Sequence, residues 1–512
     1  MAFTPAPASA LACAALCAVL AGCGGGRSIQ PDVSPAAILE RMTVAPAAVQ
    51  ALDETVTRRQ RTPVVRSEEA GAEAAPLPPL SLADAIALGL EANPRLKMAA
   101  AALARADGQE IVAFAPFLPE LDFYSRYGAT SANLSPGAPG PVGGILADTL
   151  VNPHSFVQAE LGLQWTIWDF GRTSSRYGQA VSRHRIAKLQ LARAEQTIAF
   201  DVSAAYVNVL LAQASRLVQE QAIRQAEATL QDAKARRQGG VADRDDVLRA
   251  EVQVSVAQEN LVMAQEAEFA AIARLNHTLG RNAALPVELV DWQAQPRFER
   301  SLVDCLQTAV EARQEVRAAQ EAVAVAQGGL DAAEAEFLPR IYIRADVGHV
   351  DGSGIRTGWQ EGMAIHLDHK LYAGRRRQGE EYAAAAEVRA AVASAQSVFD
   401  TITLEVNLAY RGQRATQERI RLTEPAVTQA RENLRLVRVK YKNGNATPTD
   451  VVDAETTATR AQQRYYAAIY DHLTALARLE YAMGTPQGCL VAAAAAEEEL
   501  LPRPRVLPAE ND

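Results

Sequence analysis

The chain is written twice. Ser81-Leu82-Ala83-Asp84 returns as Ser301-Leu302-Val303-Asp304, and Phe117-Leu118-Pro119 returns as Phe337-Leu338-Pro339, 220 residues on in both cases. Further along the spacing tightens. Phe170-Gly171-Arg172 lines up with Ala373-Gly374-Arg375 at 203. Asp201, Tyr206, Gly240, Asp246-Val247, Ala250-Glu251, Ala273-Arg274-Leu275 and Gly280 have counterparts 204 residues on, at Glu405, Tyr410, Gly444, Asp450-Val451, Ala454-Glu455, Ala477-Arg478-Leu479 and Gly484. Two tandem copies of one unit must fold alike and pack on one another. The tighter spacing places a longer insertion in the first copy, Ser131 to Pro153, whose Gly, Pro, Ser and Asn residues predict an exposed loop.

Each copy carries runs of period two. From Val157 to Ile167 the apolar Val157, Ala159, Leu161, Leu163, Trp165 and Ile167 alternate with Gln158, Glu160, Gly162, Gln164 and Thr166, the pattern of a two-faced strand. Ile341, Ile343, Ala345 and Val347 alternate in the second copy, followed by Met363, Ile365, Leu367, His369 and Leu371. Leu121, Phe123, Ser125 and Tyr127 make a weaker fourth run. Runs of about ten residues have the length a tilted strand needs to cross an outer membrane, and Phe114, Phe117, Phe123, Tyr124, Tyr127, Phe156, Trp165, Trp168 and Phe170 gather around them. Four strands cannot close a barrel, and an open edge cannot sit in lipid with its N–H and C=O groups unpaired. Several chains would have to share one barrel. Two would give eight strands and three would give twelve; the periodicity does not choose.

Between the strands the period is helical. Pro94 to Ala115 predicts a short helix. From Ser174 to Arg237 there is no Pro and only Gly178 interrupts, so a helix on the order of 100 Å is expected, at about 1.5 Å per residue. It turns at Gln238-Gly239-Gly240 and returns along a seam of Val247, Ala250, Val254, Ala257, Leu261, Ala264, Ala271 and Leu275. The second copy repeats the seam as Val451, Ala454, Ala458, Ala461, Tyr465, Ala468, Ala475 and Leu479. An Ala-rich heptad seam implies close coiled-coil packing.

The N-terminus reads as an export signal. Leu11 to Leu20 is too short to span a bilayer and ends in Leu20-Ala21-Gly22-Cys23. That tetrapeptide resembles a lipoprotein signal in which Cys23 becomes the acylated first residue, and Gly24 after it favours the outer membrane. The n-region departs from the pattern, having no Lys or Arg before Leu11. Past the signal, Cys305 and Cys489 remain besides Cys23. In an oxidising compartment they could form a disulfide, or stand as separate core thiols.

With 51 Lys and Arg against 60 Asp and Glu, the net charge of -9 argues against a nucleic-acid partner. No HExxH, GxSxG, P-loop or metal-spaced Cys pair is present, so no catalytic residue, metal or cofactor is expected beyond a covalent lipid on Cys23. His366, Asp368 and His369 do not make a metal set, because on a strand His369 faces away from the other two.

Two copies of short helix, strand, strand and long helical hairpin resemble the TolC family of outer-membrane efflux proteins. The residues that carry the resemblance are Leu80-Ser81-Leu82 with Asn93-Pro94, Phe117-Leu118-Pro119, Trp168-Asp169-Phe170-Gly171-Arg172, the run Tyr441 to Glu455, and Leu479 to Gly484. The resemblance implies an α+β membrane fold: a trimeric twelve-stranded β-barrel, four strands per chain, joined to a long periplasmic α-helical barrel. It implies a homotrimer in the outer membrane of a Gram-negative cell. Its partners would be outer-membrane lipid, a periplasmic adaptor (membrane fusion protein) and an inner-membrane transporter of RND, ABC or MFS type. Such a protein is an exit duct for efflux or type I secretion. The organisation implied is a signal peptide at 1–22, a lipidated extension at 23–79, a first repeat at 80–280, a linker at 281–300, a second repeat at 301–484 and a tail at 485–512. Strands are expected near 120–128, 156–168, 340–349 and 361–372, and hairpins near 174–279 and 376–483.

By the same resemblance the hairpin turns form the periplasmic tip. Asp450 and Asp453 match acidic residues that ring a constricted entrance, where three copies would favour cations; the plainer alternative for Asp450 is stabilisation of a helix start. Tyr441 and Asp246 match positions whose links keep the tip closed, although Ala446 stands where some members have an Arg partner. Gly240, Val241, Gly444 and Asn445 match the adaptor contact. The rival reading is a lipid-anchored periplasmic scaffold or adaptor without a pore, which would lack the alternating strands and the full duplication.

Overall fold

The computed structural model describes residues 79–130, 154–240, 243–290, 298–352 and 357–485. Cys23, the Ser131–Pro153 insertion, Val241 and Cys489 lie outside the described residues.

The first copy runs α1 (Leu82–Ala92), α2 (Pro94–Phe114), a 3-10 turn (Ala115–Phe117), β1 (Glu120–Thr130), β2 (His154–Trp168), α3 (Arg172–Gln238) and α4 (Arg244–Thr278). The second runs α5 (Leu302–Ala312), α6 (Gln314–Ala335), β3 (Arg340–Gly352), β4 (Gly358–Asp368), α7 (Arg376–Lys442) and α8 (Pro448–Met483). Local chemistry sets these boundaries. Ser81 and Ser301 cap α1 and α5 through Asp84 and Asp304. Asn93 caps α2 ahead of Pro94, which fits a first helical position. At both strand-to-helix corners two consecutive residues sit in the left-handed region, Phe170-Gly171 and Gly374-Arg375, which turns the chain sharply from sheet into long helix.

β1 to β4 form one antiparallel sheet in chain order, leaving β1 and β4 as open edges. The expectation that the last strand runs to residue 372 is corrected: β4 starts at Gly358 and stops at Asp368. Asp368 is the partner of Arg340, and the residue before Arg340 is Pro339, which has no N–H to continue the ladder. His369 and Leu371 therefore leave the sheet.

The long helices pack side by side in the order α4, α3, α8, α7, while α2, α3, α6 and α7 neighbour one another nearer the sheet. α3 is long and apolar enough to cross a membrane by length and composition, yet its Ile198, Val202, Tyr206 and Leu210 are buried in the main core with Leu275, Leu279, Val406, Leu473, Leu476 and Leu479. Fully burying one such side chain contributes about 1.5–3 kcal/mol. This core lies midway along the hairpins, where α1 and α5 pack against them. The Tyr206 hydroxyl lies 3.0 Å from the Leu80 carbonyl oxygen and 2.7 Å from that of Val290, fixing the entry of the first copy to its exit. Asn93 donates to the Thr278 carbonyl; in the second copy Arg313 takes its place, donating to Ala482 and pairing with Glu315 and Glu405. Cys305 is buried in the same core and has no disulfide partner among the described residues.

The Ala seams do close the hairpins. Val247, Ala250, Ala257, Ala264, Ala271 and Leu275 are buried on α4, and Val451, Ala454, Ala458, Ala468 and Leu479 on α8. α8, flanked by helices on both sides, buries Tyr470, Leu473 and Met483 as well. α4 and α7, at the flanks, leave Val252, Met263 and Phe269, and Phe399, Leu408 and Leu422, exposed.

Candidate functional site

Paired residues of an antiparallel sheet share a face, so the register sorts the four strands into two walls. One row reads Leu121, Leu163, Ala345, Met363; the next reads Phe123, Leu161, Val347, Glu361. With Tyr127, Trp165, Ile343, Trp359, Ile365 and Leu367 this face is mostly apolar, its polar residues Ser125, His349, Asp351 and Glu361 being confined to the half nearer Tyr127, and Phe123, Trp359 and Met363 on it are 72%, 78% and 65% exposed. The opposite face carries Asp122, Arg126, Gln158, Glu160, Gln164, Arg344, Asp346, Gln360 and His366. An exposed apolar face backed by a charged one is the two-sided wall of a water-filled barrel in lipid. His366 is used in stacking on Tyr342, centroids 4.8 Å apart.

At the far end of the helices the two turns lie together. Gly240 and Gly444 adopt φ of +71° and +76°, which glycine accepts without strain, and both turns are exposed there. Arg249 of α4 donates to Thr449 Oγ1 at the start of α8, 3.2 Å away, joining one hairpin tip to the other. Asp450 closes a capping box on α8: its carboxylate accepts from Thr447 N at 2.7 Å and from Thr447 Oγ1 at 2.8 Å. The backbone and hydroxyl bonds from Thr447, helped by the Lys440 charge, hold its carboxyl below the ordinary Asp value. Asp453, one turn on, is exposed, and both aspartates line a groove of about 430 Å³ with Lys440 and Asn445. The structure thus gives Asp450 a capping role and leaves Asp453 open to solvent.

Tyr441 is buried, and its hydroxyl has no hydrogen-bond partner among the described residues. Burial pushes that hydroxyl's pKa up; the Arg236 charge opposes this, while Asp246 and Asp232 add to it. Asp246 thus acts on Tyr441 through its charge, and no hydrogen bond joins the two among the described residues. The cation that sequence reasoning sought near Ala446 comes instead from α3: Arg236 stacks on the Tyr441 ring at 3.9 Å and donates to its carbonyl at 2.5 Å. A second latch was also missed. Glu455, 4% exposed, accepts from Thr229 of α3 at 2.7 Å and from Arg438 of α7 at 2.9 Å, tying three helices through one carboxylate. The duplication held the signal, because Lys234 and Glu251 pair at the matching positions of the first copy, 3.3 Å apart and half-exposed.

A sheet that is apolar on one side and polar on the other, open at both edges and joined to hairpins ending in a tied tip, defines a barrel-forming outer-membrane channel subunit. The comparisons with known proteins agree. The family described as outer membrane efflux protein matches residues 85–281 and 305–485, and the chain belongs to it. Alkaline protease secretion protein AprF of Pseudomonas aeruginosa is 25% identical over 339 residues, 63% of this chain and 69% of that one. Protein CyaE of Bordetella pertussis is 24% identical over 302 residues, 57% of this chain and 60% of that one. Among solved structures, the outer membrane protein VceC from Vibrio cholerae superposes with a TM-score of 0.68 at 20% identity, covering 79% of this chain and 96% of that one. The fold is the family's: a four-stranded antiparallel sheet continued by long helical hairpins. The protein is an outer-membrane channel for efflux or type I secretion, with its helices in the periplasm of a Gram-negative cell.

Proposed function

We propose that three copies join head to tail into one duct, closed at rest by the periplasmic tip and engaged there by a periplasmic adaptor that links it to an inner-membrane transporter. The observation that carries this is the sheet with both edges open: β1 of one chain must pair with β4 of the next, because an unpaired edge costs too much in lipid. The exposed apolar residues of α4 and α7 at the two flanks suit the same head-to-tail contact. The adaptor would reach Gly240, Val241, Gly444 and Asn445, where glycine lets a partner helix approach closely. Asp453, with Asp450 behind it, would set the cation preference of the entrance. The transporter could be of RND, ABC or MFS type; since one sequence relative is named for protease secretion, we favour the export of a polypeptide. Cys23 would carry the lipid anchor, which labelling with radioactive palmitate tests: label on wild type and none on Cys23→Ser.

Single-channel recording of the detergent-purified protein tests the duct and its entrance together. Small cation-selective currents, blocked by divalent ions and released from block in the Asp450→Ala/Asp453→Ala double variant, support the reading. Currents indifferent to the two substitutions would remove the entrance assignment. No current, from a protein soluble without detergent, would favour the poreless scaffold.

A further inference from the structure

Where the sheet meets the helices, a cavity of about 640 Å³ is walled by four arginines: Arg172, Arg176 and Arg183 from the first turns of α3, and Arg340 at the start of β3. Thr166 and Arg340 belong to the polar face of the sheet, by pairing and by period. On the channel reading, on which this inference rests, the cavity opens to the lumen.

The positive charge is only partly answered. Asp169 is the one carboxylate on the wall, and it is engaged, accepting from Thr173 N at 2.8 Å and Thr173 Oγ1 at 2.5 Å. Glu336 pairs with Arg172 at 3.3 Å and only reaches Arg176 at 3.9 Å. Arg183 donates to the neutral Gln179 amide oxygen at 3.0 Å. Arg340 stands 3.9 Å from Asp368. The buried Nε of Arg172 has no hydrogen-bond partner among the described residues. Arg176 keeps 63% of its side chain exposed, free to turn into the cavity. Arginine forks bind carboxylate and phosphate oxygens in pairs, with both charge and geometry matched.

We infer that this cavity is an oxyanion-binding station on the lumen wall, repeated three times around the duct, which holds carboxylate or phosphate groups of cargo as it passes from the helical barrel to the β-barrel. Such a station complements an acidic entrance: cargo that has passed the tip meets the opposite charge further up.

The test uses the detergent-purified assembly and a fluorescent hexaglutamate peptide, read by anisotropy at low salt. Binding is expected, weakening at least about tenfold in Arg176→Gln/Arg183→Gln and similarly when salt is raised to 0.5 M. Arg176→Lys/Arg183→Lys, which keeps the charge and loses the forks, should fall between. Asp453→Asn, far off at the tip, should bind as wild type. Inorganic phosphate that displaces the peptide assigns the site to any oxyanion; phosphate that does not assigns it to polypeptide carboxylates. Equal affinity of wild type and the Gln variant, or no salt-sensitive binding, overturns the station. Conductance measured on the same preparation separates the two readings, since currents without peptide binding remove the station and leave the channel.

Discussion

Replacing Leu161 by Arg should destabilise the assembled barrel by about 2–4 kcal/mol per chain. Leu161 is central in β2, on the apolar face, between Phe123 of β1 and Val347 of β3. If that face meets lipid, the guanidinium is placed near the bilayer midplane, where Arg costs that much, and the barrel carries it three times. The control is one residue away. Gly162 lies on the polar face between Asp122 and Asp346, and an added Cβ there meets nothing within 4 Å. Gly162→Arg enters a wet lumen between two carboxylates, so its effect should stay within about 1 kcal/mol. The assay is reversible urea unfolding in lipid vesicles, followed by tryptophan fluorescence, with heat-labile oligomer on a gel as a second readout. Equal losses for the two variants, or a larger loss for Gly162→Arg, would refute the assignment of faces and with it the membrane-spanning sheet.

Other outcomes follow from the midway core. Arg313 has 4% of its side chain exposed and answers two carboxylates and a carbonyl; Arg313→Met should cost about 2 kcal/mol in chemical unfolding. That loss depends on pH. Burial pushes the Glu315 carboxyl up, but the Arg313 hydrogen bond and the Arg193 charge outweigh it and hold its pKa below the ordinary value. The contribution is therefore complete above the ordinary Glu value and lost as pH falls through the lower folded value, so the gap between wild type and Arg313→Met should shrink in acid. Gly484 ends α8 at φ +71°, where a Cβ would meet Arg313 Cα at 3.0 Å; Gly484→Ala should cost more than about 1 kcal/mol and lower the melting temperature. Cys305 is fully buried and its thiol pushed up by that burial, so it should resist iodoacetamide until the protein is unfolded.

The repeat made most of the architecture legible before any coordinates. Two copies had to supply paired strands and hairpins, and the period-two run around Leu161 fixed which residues share a wall. What escaped was set by neighbours distant in sequence. The end of β4 depends on Pro339, just ahead of the facing strand, which nothing in the Met363–Leu371 alternation announces. The Thr229–Glu455 and Arg236–Tyr441 contacts at the tip join residues 226 and 205 apart, which no local pattern announces; only the Arg438–Glu455 pair had a signal, in its Lys234–Glu251 counterpart. Asp450 was legible as an acidic residue near a helix start, but its hold on Thr447 required the cap geometry.

The central claim is that one chain holds four strands of a barrel it cannot close alone. Native mass spectrometry of the detergent-solubilised protein counts the chains directly. Three copies released together, with no stable monomer, is the predicted result. A monomer or dimer that keeps its sheet in detergent would contradict it.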